Sequence, residues 1–369
     1  MFIANMWWYG FVILLTHIIF CSLLVSGNPV VYEVTSFEDT PESFNSCDLI
    51  SGCNLRSAWS DCMNETLIFN ECIITIPDNA KLIFNSTLGS LEQHANSSIT
   101  IYGGLNSSIF STGGDSMFVE YNGHAYNNSF SSLAIHNLNI HDFSSSYRGG
   151  VISFIGDGNL HFNNINFNNT NGNRGGSIYV NEVTSGDVHI ENCEFVHNSA
   201  SNGGAILIDY FTPNIYIQNC TFEYCHAENF GGAIYLESGN DNFTISNIIF
   251  NSCTIDDGFG SAIYAGENNH VMKILDSTFE KCTSNGEGTV YLSNNNNNFT
   301  MISSSFILCK TYIGGALYIS DNNQGINIYD TTFQDCNAYF YGGAIYLGTG
   351  NNNISVIGST FTLIVKIII

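Results

Sequence analysis

Along most of the chain, apolar residues return to matching positions about every 27 residues, and this beat sets the fold. Phenylalanine stands at 167, 195, 222, 250, 279, 306, 333 and 361, at spacings of 28, 27, 28, 29, 27, 27 and 28. Ile140 takes the same place one unit earlier. Seven and five residues before each Phe lie apolar pairs such as Leu160/Phe162, Val188/Ile190, Ile215/Ile217, Phe243/Ile245 and Ile326/Ile328. That alternation predicts a strand with one face inward. Three residues before the Phe comes a polar bend, at Asn137, Asn164, Asn192, Asn219, Asn247, Asp276, Ser303 and Asp330. The Phe strand follows, then a variable polar turn, then a pair of small residues that opens a third strand.

The small-residue pairs keep the same period: Gly149-Gly150-Val151-Ile152, Gly175-Gly176-Ser177-Ile178, Gly203-Gly204-Ala205-Ile206, Gly231-Gly232-Ala233-Ile234, Gly260-Ser261-Ala262-Ile263, Glu287-Gly288-Thr289-Val290, Gly314-Gly315-Ala316-Leu317 and Gly342-Gly343-Ala344-Ile345. A helix would need i, i+3, i+4 spacing through ten or more residues, whereas these runs are short, β-branched and bounded by Gly or Asn. The expected class is therefore all-β, a right-handed parallel β-helix with three short strands per coil. Stacking at roughly 4.8 Å per rung brings equivalent residues face to face, so like packs on like. Each buried Phe ring is then worth roughly 1.5 to 3 kcal/mol of burial.

The paired motifs F-x-x-N and G-G-A-[ILV] resemble the repeats of the chlamydial polymorphic outer membrane protein family, within the pectin-lyase-like β-helix superfamily. The likeness covers Leu133 to Phe361. Phe195-Val196-His197-Asn198 fits the first motif as it stands, while later copies end in Cys, as in Phe222-Glu223-Tyr224-Cys225 and Phe250-Asn251-Ser252-Cys253. The resemblance implies a cell-surface adhesin. The family's C-terminal membrane barrel has no counterpart in this sequence.

Residues 1–27 hold an uncharged apolar run from Trp7 to Gly27 that ends in small residues, expected to be a signal peptide, with an uncleaved N-terminal anchor as the alternative. Residues 28–72 form a Cys-rich cap around Leu55-Arg56-Ser57-Ala58-Trp59, sealing a core that water would otherwise reach. Residues 73–132 form irregular early coils, and 133–369 the regular repeats. The last coil runs into Leu363-Ile364-Val365-Lys366-Ile367-Ile368-Ile369 with no Gly pair, so a truncated array or gene fragment is expected, with an open edge liable to edge-to-edge self-association.

With Lys+Arg 8 against Asp+Glu 32, the net charge of −24 repels nucleic acid and anionic lipid. Twelve Cys and ten N-x-S/T sequons, at Asn64, Asn85, Asn96, Asn106, Asn127, Asn168, Asn219, Asn242, Asn298 and Asn353, fit an extracellular or cell-surface location. In the cap, Cys47, Cys53, Cys62 and Cys72 make two disulfides with three pairings open. Cys193 and Cys220, each two residues before a Phe, are the expected bridge within the array. Cys225, Cys253, Cys282, Cys309 and Cys336 share one column, expected to be a buried thiol ladder in place of the Asn, since five cannot pair completely.

Tyr179, Tyr235, Tyr264, Tyr291, Tyr318 and Tyr346 follow the inward aliphatic position, so they are expected to point outward as a binding stripe for glycans or proteins, interrupted only by Leu207. Simple stacking that shields the sheet is the alternative. Catalysis has little to work with. Asp256-Asp257 is the one adjacent Asp pair and lies in a variable turn, and Arg148 and Arg174 stack before Gly pairs with no acidic column expected beside them. No cofactor or metal site is expected, because one rigid Cys column does not supply four converging ligands. The sequence therefore favours a non-enzymatic surface scaffold, with a polysaccharide-active enzyme as the second reading and a non-functional fragment as the third.

Overall fold

The computed structural model describes residues 29–364 apart from 38, 40–46, 48–52, 66–70, 94–95, 116 and 124–129. The leader at 1–27 and the end of the C-terminal run lie outside the described residues. The repeats wind into a parallel β-helix. A sheet of twenty-one strands, one of ten and one of eight run along it, and the paired strands are parallel. Register is one-to-one from coil to coil: Val188 pairs with Ile215, Phe195 with Phe222, Ile206 with Ile234.

The first strand and the Phe strand of each coil, such as Val188–Glu191 and Glu194–Val196, both belong to the largest sheet. Between them sits the polar bend, where Asn137, Asn164, Asn192, Asn219, Asn247, Asp276, Ser303 and Asp330 all have φ between 49° and 58°. One left-handed residue turns the chain there, and Asn and Asp tolerate that conformation best among side-chain-bearing residues. The stretch read from sequence as a variable turn contributes a further short strand, as at Ser199–Asn202 and Asn337–Tyr341, giving four strand segments per coil. The Gly-pair strands make the ten-stranded sheet. At Gly231 φ is +60°, and a Cβ would stand 2.3 Å from the Ile234 carbonyl oxygen, so a side chain is excluded on both counts.

The Phe column is the axis of the interior. From Phe167 to Phe361 successive rings lie 4.5 to 5.4 Å apart with planes 2° to 11° from parallel. All but the last are fully buried. At the N-terminal end the helix Leu55–Glu65 covers the first coils with Leu55, Ala58, Trp59, Cys62 and Met63. Disulfides Cys47–Cys53 and Cys62–Cys72 hold it, the second tying the helix to the strand Cys72–Ile76. Arg56 is buried against Asp39 at 2.7 Å and lies 4.4 Å over the Phe84 ring. The cap therefore closes one end with paired charge and apolar surface together.

The expected Cys193–Cys220 bridge is absent: both are buried free thiols. Their place in the bend explains it. Cys193 Sγ donates to the Glu191 carbonyl at 3.1 Å, Cys220 Sγ to the Gln218 carbonyl at 3.1 Å, and the Cys193 N–H donates to Cys220 Sγ at 3.3 Å. Ser277 and Ser304 make the same bonds with hydroxyls in later coils. The thiols thus serve as hydroxyl substitutes, already engaged with backbone. The five-Cys column is likewise unbridged, each thiol donating to a Phe carbonyl about one coil back, as Cys225 does to Phe195 at 3.4 Å. Asn198 occupies the same place and donates to the Phe167 carbonyl at 3.1 Å.

Two outcomes are expected. Mass spectrometry of unreduced, unfolded protein finds four Cys oxidised in the cap and Cys193, Cys220 and the five column thiols open to alkylation; a Cys193–Cys220 cross-linked peptide contradicts this. Phe250→Ala, in mid-column, lowers stability by about 3–5 kcal/mol in urea unfolding.

Candidate functional site

On the Gly-pair sheet the six tyrosines point away from the main interior, as their alternation requires, yet they do not form a free stripe. Tyr179, Tyr235 and Tyr291 are buried, at 1%, 6% and 8% exposure, and Tyr264, Tyr318 and Tyr346 are half-buried. The reason is the corner. Residues just ahead of the Gly pair fold back over the sheet's outer face, so Phe230 lies 4.9 Å from Tyr264 and Phe259 lies 4.9 Å from Tyr291. Ile155, Tyr179, Leu207 and Tyr235 become a second, small apolar cluster. From Tyr235 to Tyr346 the rings stack at 4.6 to 5.2 Å.

Arg148 and Arg174 occupy the same covering column, their guanidiniums 5.2 and 5.4 Å from the Tyr179 ring. The expectation that no acidic column accompanies them is corrected. Asp209 and Glu237, each the residue after an inward aliphatic position in successive coils, lie beside Arg174 at 2.8 and 3.9 Å. Tyr179 donates its hydroxyl to Asp209 Oδ2 at 2.6 Å, and Tyr235 donates to Glu237 Oε2. Burial, then these carboxylates, push both phenols up, so they remain protonated donors. For Arg174, burial acts to lower its pKa, but Asp209, Tyr179 and Glu237 together outweigh it and raise it. One guanidinium and two phenols thus engage one oxygen of each carboxylate, which makes the group a half-buried brace between coils. A period of 28 residues separates Asp209 from Glu237, and that is the sequence signal for the column. Asp256 stands in an exposed turn, 3.7 Å from His226.

Two surfaces that the sequence reading did not single out are more open. On the flank of the eight-stranded sheet, Tyr312, Tyr339, Phe340 and Tyr341 are 42%, 67%, 41% and 47% exposed. The first two border a depression of about 580 Å³ with Thr283, Asn285 and Lys310. On the bent outer face of the largest sheet, a groove of about 590 Å³ is lined by the amides of Asn106, Asn137, Asn139, Asn164, Asn166 and Asn192. Next to it runs a line of rings: Tyr102 and His136 at 4.8 Å, His136 and His161 at 5.1 Å, His161 and His189 at 6.1 Å, His189 and Tyr216 at 4.9 Å. No group of three or more His, Cys, Asp or Glu suited to a metal ion occurs among the described residues.

Fold and surface together define a capped parallel β-helix with polar and aromatic features on its flanks. No family model and no curated protein matches the chain. Among solved structures it is similar to ORF18 of Geobacillus virus E2, at 15% identity and a TM-score of 0.51, over 90% of this chain. The chain spans 62% of the length of that viral protein, and the likeness is one of fold. A catalytic domain of a GH87 α-1,3-glucanase in complex with nigerose aligns with 90% of this chain and 70% of its own, at 13% identity and a TM-score of 0.27, too loose an overlap to bear on activity.

The brace has a measurable consequence. Arg174→Met leaves the Asp209 carboxylate, only 4% exposed, without its cation, and is expected to cost about 2–3 kcal/mol in urea unfolding. Adding Asp209→Asn to that variant restores part of the loss; equal stability of wild type and Arg174→Met contradicts the assignment.

Proposed function

We propose that this chain is a non-enzymatic extracellular or cell-surface β-helix, exported by its apolar leader, that binds glycans or surface proteins along its flank. The observation that carries the reading is the exposed ring cluster of Tyr312, Tyr339, Phe340 and Tyr341. Tyr312 lies 4.7 Å from Phe340 and 5.6 Å from Tyr339, on short strands that stacking holds rigid. Grouped exposed rings on a rigid support are a recognition surface, because they offer apolar area and phenolic hydroxyls with little ordering cost. Polar neighbours at Thr283, Asn285 and Lys310 suit sugar hydroxyls. The cap disulfides agree with an oxidising compartment, and no helix among the described residues is long and apolar enough to cross a membrane. The resemblance of the G-G-A-[ILV] repeats to those of chlamydial polymorphic outer membrane proteins points the same way.

An enzymatic reading draws on one observation, the placing of Asp209 and Glu237 in successive coils. Their engagement by Arg174 and two phenols favours the structural role. A glycan array and a panel of surface proteins, probed with the purified protein, test the proposal. Replacing Tyr312 and Tyr339 together by Ser is expected to weaken binding on the order of tenfold or more with the far-ultraviolet dichroism unchanged. Unchanged binding contradicts the assigned surface, and new reducing ends or unsaturated products from polysaccharides contradict the non-enzymatic reading.

A further inference from the structure

We propose that the amide-lined groove on the bent face of the largest sheet is a second binding site, separate from the Tyr312 cluster, for an uncharged oligosaccharide lying across successive coils. This rests on the glycan reading above. The groove's volume of about 590 Å³ falls within the range of small-molecule sites.

Its floor follows from the bend. A left-handed residue in each coil turns the chain between the first strand and the Phe strand, and beside the bends at Asn137, Asn164 and Asn192 the residues Gly103, Gly104, Leu105 and Asn106 wall one end of the groove. Elsewhere along this edge the bend asparagines bond upward to one another: Asn164 donates to Asn137 at 2.9 Å, Asn219 to Asn192 at 3.2 Å and Asn247 to Asn219 at 2.8 Å. Between Asn164 and Asn192 the ladder breaks, because Asn192 donates sideways to Asn163 at 2.9 Å. One position beyond the inward Ile165, Asn166 Oδ1 is buried and accepts no hydrogen bond among the described residues. A break in the ladder and an unsatisfied acceptor therefore lie on the same groove. A buried acceptor without a donor costs free energy, which a ligand hydroxyl removes when the Asn166 amide turns outward to meet it.

The lining also selects the ligand. Carboxamides present a donor and an acceptor side by side, matching neighbouring hydroxyls of a sugar. On the first strand beside the lining, His161 is 43% exposed and meets His136 and His189 edge to face, so this ring line borders the C–H side of a pyranose seated in the groove. Burial, then the neighbouring His161, holds His136 below the ordinary imidazole value, so that ring stays neutral at pH 7. Glu191 lies 4.0 Å from His161 and Glu194 borders the groove, on a chain of net charge −24, so acidic sugars are repelled.

Calorimetric titration tests this with neutral gluco- and chito-oligosaccharides and an oligogalacturonate of equal length. The proteins compared are wild type, His161→Ala with His189→Ala, Asn166→Ala, and Thr300→Ala as an outward control further along the same sheet. The expected result is binding of a neutral oligosaccharide that the His pair and Asn166 variants each weaken on the order of tenfold, with Thr300→Ala unaffected and all four folded by dichroism. Neutral-sugar binding that survives the groove variants but falls on replacing Tyr312 and Tyr339 overturns this site and leaves the proposed function standing. Preference for oligogalacturonate overturns the ligand class. Absence of any glycan binding overturns this site and the glycan part of the proposed function, leaving surface proteins as its ligands.

Discussion

Vertical register is the constraint from which the rest of this molecule follows. Because each coil returns the backbone to the same place one strand spacing higher, every side chain meets its own equivalent above and below, as Phe195 meets Phe222 and Phe222 meets Phe250. A ring that fits between two rings excludes most other shapes. The interior is therefore a set of columns, and a residue's environment is decided by its position in the period more than by its sequence neighbours.

The same rule governs polar groups. Where amides face amides they bond in file, and where a column changes chemistry the substitute takes up the same bonds. Cys225 donates to the carbonyl of Phe195 much as Asn198 does to that of Phe167, and Cys193 does in its bend what Ser277 does in another. Thiols in these places are packing and hydrogen-bonding elements, which is why proximity alone does not make them disulfides. Polar satisfaction thus comes from neighbours one coil away, and a break in a ladder, as between Asn164 and Asn192, leaves an amide bonded sideways instead.

Columns with a strict period were legible from the sequence alone. The Phe rib, the polar bend, the Gly pair and the Cys column could be placed by counting, whereas the N-terminal cap was read from its cluster of four cysteines. What escaped counting lies in the variable turns. Phe230 and Phe259 cover the tyrosines because the corner folds back, and no alternation rule reports what lies above an outward residue. Asp209 and Glu237 keep the period but form a column only two residues long, too short to register as a pattern until Arg174 is seen between them. Similarly, His136 and His161 meet diagonally, off the straight column, so spacing gave no signal of the ring line beside the groove.

The proposed binding surfaces lie on the flanks, since the interior is filled by its own columns. The open rings near Tyr312 and the amide groove near Asn166 are surfaces that a rigid stack holds in fixed geometry, and both depend on the coils staying in register. The most direct measurement of that register is the distance between spin labels at Tyr216 and Ser355, which stand in one outward column five rungs apart. Pulsed electron spin resonance is expected to give a narrow distribution near about 24 Å, allowing for label length, from five strand spacings of roughly 4.8 Å. A broad distribution, or one that does not shorten in step as the second label is moved to Asn327 and then Thr300, would contradict the stacked-coil account.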